Sequence, residues 1–187
     1  ALGNIAFKKG EKEEAVEYLE RAREISPRAG ALQGRTNIYS RLVSHYMESG
    51  DEEKMIERLE QWRQISPEDL RSRLALGKIY LGKGDEESTA KAVKVLDEVI
   101  FINPFDLKLH KELARAASSS GAHEISIREY KLLLTYPETN PRTAYLALAK
   151  ACLGIGDKKE AASFARKVLG IDGENAEAKK ILEQSGK

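Results

Sequence analysis

The side chains in this chain that could act on a substrate or hold a metal are three histidines, one cysteine and many carboxylates. The most suggestive pair is His123-Glu124, which begins like the H-E-x-x-H signature of zinc peptidases. That signature needs a second imidazole four residues on, so that both face one side of a helix and share a metal. Ile127 stands there instead, and the other histidines are His45 and His110. Cys152 has no second cysteine with which to form a disulfide or complete a zinc site. It falls in a row otherwise held by Ala or Tyr, which predicts a buried structural thiol rather than a reactive one. No glycine-rich phosphate loop and no Ser-His-Asp pattern is legible. The carboxylates gather where helices would start, at Glu11, Glu13 and Glu14 and again at Glu52 and Glu53, where the helix dipole favours them. No catalytic residue, metal ligand or cofactor is assigned, and the chain reads as not an enzyme.

Composition narrows the class further. With 31 basic against 30 acidic residues the net charge is +1, which gives no overall pull towards nucleic acid or a membrane. No apolar run approaches the roughly 18 residues a membrane helix needs. No signal peptide is visible, and the compartment stays open. Abundant Leu, Ala, Glu and Lys, with few aromatics, is the composition of a mostly helical protein.

The turn residues recur. Gly10-Glu11, Gly50-Asp51, Gly84-Asp85, Gly121-Ala122 and Gly156-Asp157 each follow an apolar helical stretch. Downstream come Ile25-Ser26-Pro27, Ile65-Ser66-Pro67, Ile102-Asn103-Pro104, Tyr136-Pro137 and Ile171-Asp172-Gly173. Glycine ends a helix at positive φ, and proline opens the next segment but cannot continue the last. Two helices per repeat result, joined by a tight turn. In the first helices, the leading pairs are Leu2-Gly3, Leu42-Val43, Leu76-Gly77, Leu113-Ala114 and Leu148-Ala149. The second helices carry Ala15, Met55, Ala92, Ser126 and Ala161, then Leu19, Leu59, Leu96, Tyr130 and Ala165. A further row holds Ala22, Trp62, Val99, Leu133 and Val168. Large residues set opposite small ones let adjacent helices interlock.

On these residues, and on stretches such as LGNIAFKKGEKEEAVEYLERAREISP and LALGKIYLGKGD, the chain resembles the tetratricopeptide repeat family along essentially its whole length. The resemblance implies an all-α, right-handed superhelical solenoid of about five helix pairs plus a C-terminal capping helix. The expected repeats are 1–29, 30–69, 70–106, 107–140 and 141–173, with the cap at 174–187, in a single domain of 1–187. The first repeat enters partway through its first helix, so a piece of a longer protein is expected. Two departures stand out. The residues around Gly30-Ala31-Leu32-Gln33-Gly34 are extra, as either a longer loop or an extended helix start. Three extra residues between Gly84 and Ala92 predict a longer third hairpin turn.

In this family the first helices line the concave face. By register that face carries Asn4, Ser44, Lys78, Arg115 and Lys150 in one row. A second row holds Asn37, Arg71, Lys108 and Thr143, and a third Ser40, Leu74, Lys111 and Leu146. Several members are basic and none is acidic, in a chain of near-zero net charge. The reading is a scaffold or adaptor whose groove takes an acidic or carboxylate-terminated peptide, with Leu74, Leu81, Leu146 and Leu153 for apolar contact. The family's carboxylate clamp for chaperone tails is matched at Asn4, but its next two positions fall on Arg41 and Ala75, so that role is not assigned. Two other readings stand beside the adaptor. The stretch INPFDLKLHKELA with the repeats after it resembles helical segments of large bacterial proteins with peptidase-like domains upstream, which implies a non-catalytic accessory region. A self-associating solenoid is the other, and light scattering over a concentration series separates it from a monomer.

Overall fold

The computed structural model of the chain describes residues 2–30 and 37–186, leaving aside the side chains of Asn4, Phe7, Lys8 and Ala29. The expected insertion after Gly30 therefore lies outside the described residues. Those residues form twelve helical segments and no strand: α1 (Leu2–Lys9), α2 (Lys12–Ile25), α3 (Pro27–Gly30), α4 (Ile38–Ser49), α5 (Glu52–Ile65), α6 (Leu70–Lys83), α7 (Glu86–Ile102), α8 (Leu107–Ser119), α9 (His123–Leu133), α10 (Pro141–Gly154), α11 (Lys158–Ile171) and α12 (Ala176–Gln184). The short α3 is the one segment that the repeat pattern does not call for. The chain divides into two compact units, Ala1–Leu76 and Gly77–Lys187.

The turns between paired helices follow from local chemistry. Gly50 adopts φ 74°, a left-handed conformation that closes α4. Asp51 then caps α5 by accepting from the Lys54 amide at 3.1 Å. The third turn corrects the sequence expectation. Only Gly84 and Asp85 separate α6 from α7, as Gly50 and Asp51 separate α4 from α5. The extra residues lengthen α7 to 17 residues, against 14 in α5. The cause is the cap: Asp85 accepts from the Ser88 amide at 2.8 Å, and Glu86 and Glu87 sit in the first turn, so the insertion is captured as helix.

In the N-terminal unit, Leu19, Leu42 and Tyr46 form an apolar cluster, and Tyr39 stacks on Trp62 at a centroid distance of 6.5 Å. Glu20 joins three helices at the edge of this packing. It accepts from Arg23 Nε at 2.7 Å, from Arg58 Nε at 2.8 Å and from Tyr46 Oη at 2.8 Å. Burial raises the Glu20 carboxyl, but these donors more than offset it and hold it below its ordinary value. Burial, with Glu20 alongside, pushes the Tyr46 phenol up to about 12.

In the C-terminal unit the core runs through Ala114, Leu133, Leu148, Ala149, Ala165 and Val168 to Ala178 and Ile181 of α12. Alanine is frequent because adjacent helices approach closely. Gly77 shows the limit of that approach: a Cβ there would lie 2.4 Å from Leu96 Cδ2. Gly77→Val is accordingly expected to cost roughly 1–3 kcal/mol through overpacking. A urea transition unchanged from that of the parent would show that α6 and α7 are further apart.

Candidate functional site

The basic rows read from the sequence separate into paired and unpaired side chains. Lys78 and Arg115 are exposed and Lys111 is half-buried. None of the three has a carboxylate within 4.0 Å among the described residues. Lys150 is different: its Nζ lies 2.9 Å from the carboxylate of Glu177, in the first turn of α12. Lys108 stands 4.0 Å from Glu112. Arg71 is paired with Asp69 at 2.6 Å and lies over the Trp62 ring, 4.8 Å from its centroid. The rows hold no acid, yet acids outside them engage half of their cations. Asn37 is buried at 1% exposure and caps α4, accepting from the Ser40 amide at 3.0 Å, so it is a structural residue rather than a groove residue. Leu74 and Leu146 are half-buried, and Leu146 packs against the C-terminal unit's core. The side chain of Asn4 lies outside the described residues.

Within the C-terminal unit, two of the unpaired cations share a cavity of about 250 Å³. Lys111 and Arg115, one turn apart on α8, stand on one side. Tyr130 and Leu133 of α9 and Ala144 of α10 supply its apolar surface, and Glu138, Thr139, Asn140 and Thr143 complete the rim. Side-chain hydrogen bonds help to hold the loop before α10 in shape. Thr139 Oγ1 donates to the Leu133 carbonyl at 2.6 Å, and Asn140 accepts from the Thr143 amide at 3.2 Å. One helix pair further on, a more open hollow of about 400 Å³ lies against Lys150, Leu153, Glu177 and Ile181. In the N-terminal unit, a hollow of about 240 Å³ is lined by Lys12, Ser40, Arg41, Ser44, His45 and Glu48, with Lys12 and Glu48 paired at 2.9 Å.

Sequence reasoning missed a set of buried polar side chains. The position three residues before the leading Leu holds Tyr39, Arg73, His110 and Tyr145 in successive repeats. The tyrosines stack, Tyr145 on Phe164 at 6.1 Å. Arg73 is buried and donates to the carbonyls of Ser66 at 3.2 Å and Asp69 at 3.0 Å. His110 Nε2 lies 3.1 Å from the Pro104 carbonyl, and its Nδ1 lies 2.5 Å from Glu129 Oε2, both residues being buried. Glu129 Oε1 accepts from Arg128 Nε at 2.7 Å, and Arg128 reaches on to Asp97. A polar residue in an otherwise aromatic row was the available signal. The tip of each polar side chain reaches carbonyls of the preceding turn.

The remaining candidates have structural roles. Cys152 is buried, and that burial raises its thiol above the ordinary value. His123 opens α9 and its ring lies against Gly154, where an added Cβ would meet Nε2 at 2.2 Å. Among the described residues no three His, Cys, Asp or Glu side chains come together as metal ligands, and no helix is long and apolar enough to cross a membrane.

Family models described as tetratricopeptide repeat match residues 1–29 and 143–175. No curated protein matches the chain. Among solved structures, one described as "YrrB: a TPR protein with an unusual peptide-binding site" is 13% identical with a TM-score of 0.51, covering 97% of this chain and 88% of that one. A mutant of MamA is 21% identical with a TM-score of 0.51, covering 93% of this chain and 90% of its own. At such identities the likeness is one of fold.

Proposed function

Because the chain belongs to the tetratricopeptide repeat family, an all-α helical repeat, we propose that it is an adaptor holding a partner polypeptide along the basic faces of its first helices. A protein-interaction scaffold, generally non-catalytic, is the broad role such repeats support. The finer reading is that the partner offers an acidic segment or a terminal carboxylate. The solved relative YrrB is described as having a peptide-binding site, which is consistent with that use. The repeats are taken to end at about 29, 69, 106, 140 and 173, as one domain with 174–187 as its cap.

The observation that carries the reading is a group of first-helix cations that no carboxylate of the described residues engages. Lys78, Lys111 and Arg115, on the first helices, have none within ion-pair distance among the described residues. A preformed helical surface also costs little ordering entropy when a peptide docks.

The test is partner capture by the whole protein, with identification of bound chains. Reversal of Lys78, Arg115 and Lys150 to Glu is expected to abolish capture and leave helix content unchanged, since all three are exposed. Capture by the parent should weaken as salt rises. Full retention of partners by the reversed protein would move the binding site elsewhere.

A further inference from the structure

We infer that the groove has one principal anchor, the cavity bounded by α8, α9 and α10, and that it takes an internal acidic side chain with an aliphatic neighbour. This rests on the acidic-partner reading above. The cations of the row are unequal. Lys150 already holds a carboxylate, that of Glu177 at 2.9 Å, so an incoming acid must displace an existing partner there. Arg115 and Lys111 hold none within ion-pair distance, and they stand one turn apart on the same helix, beside one cavity. An acid docking there gains two cations without breaking an ion pair, and the guanidinium of Arg115 can grip both carboxylate oxygens.

The cavity itself selects the side chain beside that acid. Its volume of about 250 Å³ is below the roughly 300–1,000 Å³ of small-molecule and cofactor sites, and suits a single side chain. Tyr130, Leu133 and Ala144 are buried and form an apolar floor. Glu138 on the rim repels a second acid, so a run of acidic residues fits less well than one acid beside one aliphatic residue. An extended segment sends neighbouring side chains to opposite sides, and at a helix-lined mouth one can meet Arg115 while the next turns down to the floor. The two cations line the side of the mouth along α8, which suits a chain that runs past them.

The test uses the full chain and blocked ten-residue peptides of Gly and Ser with one central Glu-Leu pair, read by fluorescence anisotropy. Exchanging the peptide's Glu for Gln is expected to lower affinity at least tenfold, and its Leu for Ala at least fivefold. In the protein, Arg115→Gln should cost at least tenfold and Lys150→Gln less than twofold. Thr143→Leu, on the exposed rim, should weaken the Glu-Leu peptide but not its Glu-Ala counterpart. A peptide with Gln-Leu and a free terminal carboxylate should bind more weakly than the blocked parent; tighter binding would overturn the internal-acid assignment. Equal losses from Arg115→Gln and Lys150→Gln, or indifference to the Leu exchange, would overturn the anchor. Absent peptide binding would do so too, while the general acidic reading stands or falls on the charge-reversed protein's partner capture.

Discussion

Glu129→Ala is expected to destabilise the C-terminal unit by about 3–5 kcal/mol, the scale for removing one partner of a buried ion pair. The loss follows from where the protons of this pair must sit. The Pro104 carbonyl can only accept, so His110 Nε2 must carry hydrogen. The 2.5 Å contact between Nδ1 and Glu129 Oε2 then needs one more proton, held as imidazolium and carboxylate or as imidazole and carboxylic acid. Either way the pair is neutral as a whole and every buried polar atom in it has a partner. Alanine at 129 leaves Nδ1 buried and bare, and strips Arg128 of one of its two acceptors. Urea denaturation of the whole chain measures this. Replacing both partners by apolar residues, His110→Phe with Glu129→Leu, is expected to recover more than half of the loss, because the desolvation of both groups disappears together. A single variant within 0.5 kcal/mol of the parent, taken as the scale of an ordinary surface change, would mean that the pair is solvated.

Leu96→Ala carries an expected loss of similar size, about 2–5 kcal/mol. Leu96 is 2% exposed, and its Cδ2 fills the space above Gly77 that a Cβ would otherwise occupy. The facing residue has no side chain with which to collapse into the void, which places the expectation in the upper part of that range. Repeats couple mainly to their neighbours, so the transition should broaden as well as shift. Denaturation followed by circular dichroism reads both changes. A midpoint and slope equal to those of the parent would show that Leu96 does not interlock with α6.

The helices and their turns were legible because glycine and proline act locally: Gly50 and Asp51 end one helix and start the next from their own backbone and side chain. The same local rule misjudged residues 84–92. Counting residues from Gly84 to Ala92 does not say whether a cap downstream converts the surplus into helix, and Asp85 does. The basic rows were legible as rows, but their charge was not. Pairing depends on acids outside the register, and Glu177 lies 27 residues beyond Lys150 on a helix that belongs to no pair. Arg73 and His110 were the hardest to see. Arginine and histidine normally report solvent, and here they occupy a position that Tyr39 and Tyr145 fill with rings.

That substitution has an evolutionary corollary. Tyr39 and Tyr145 stack their rings on Trp62 and Phe164, whereas Arg73 reaches back to the Ser66 and Asp69 carbonyls of the preceding turn, and His110 meets Glu129 on the second helix of its own repeat. The repeat that carries Arg73 cannot be moved away from that turn without stranding a buried guanidinium, whereas His110 and Glu129 would travel together. The order of the two repeats that meet at Arg73 is therefore constrained by polar contacts, even where their helical outlines would permit exchange.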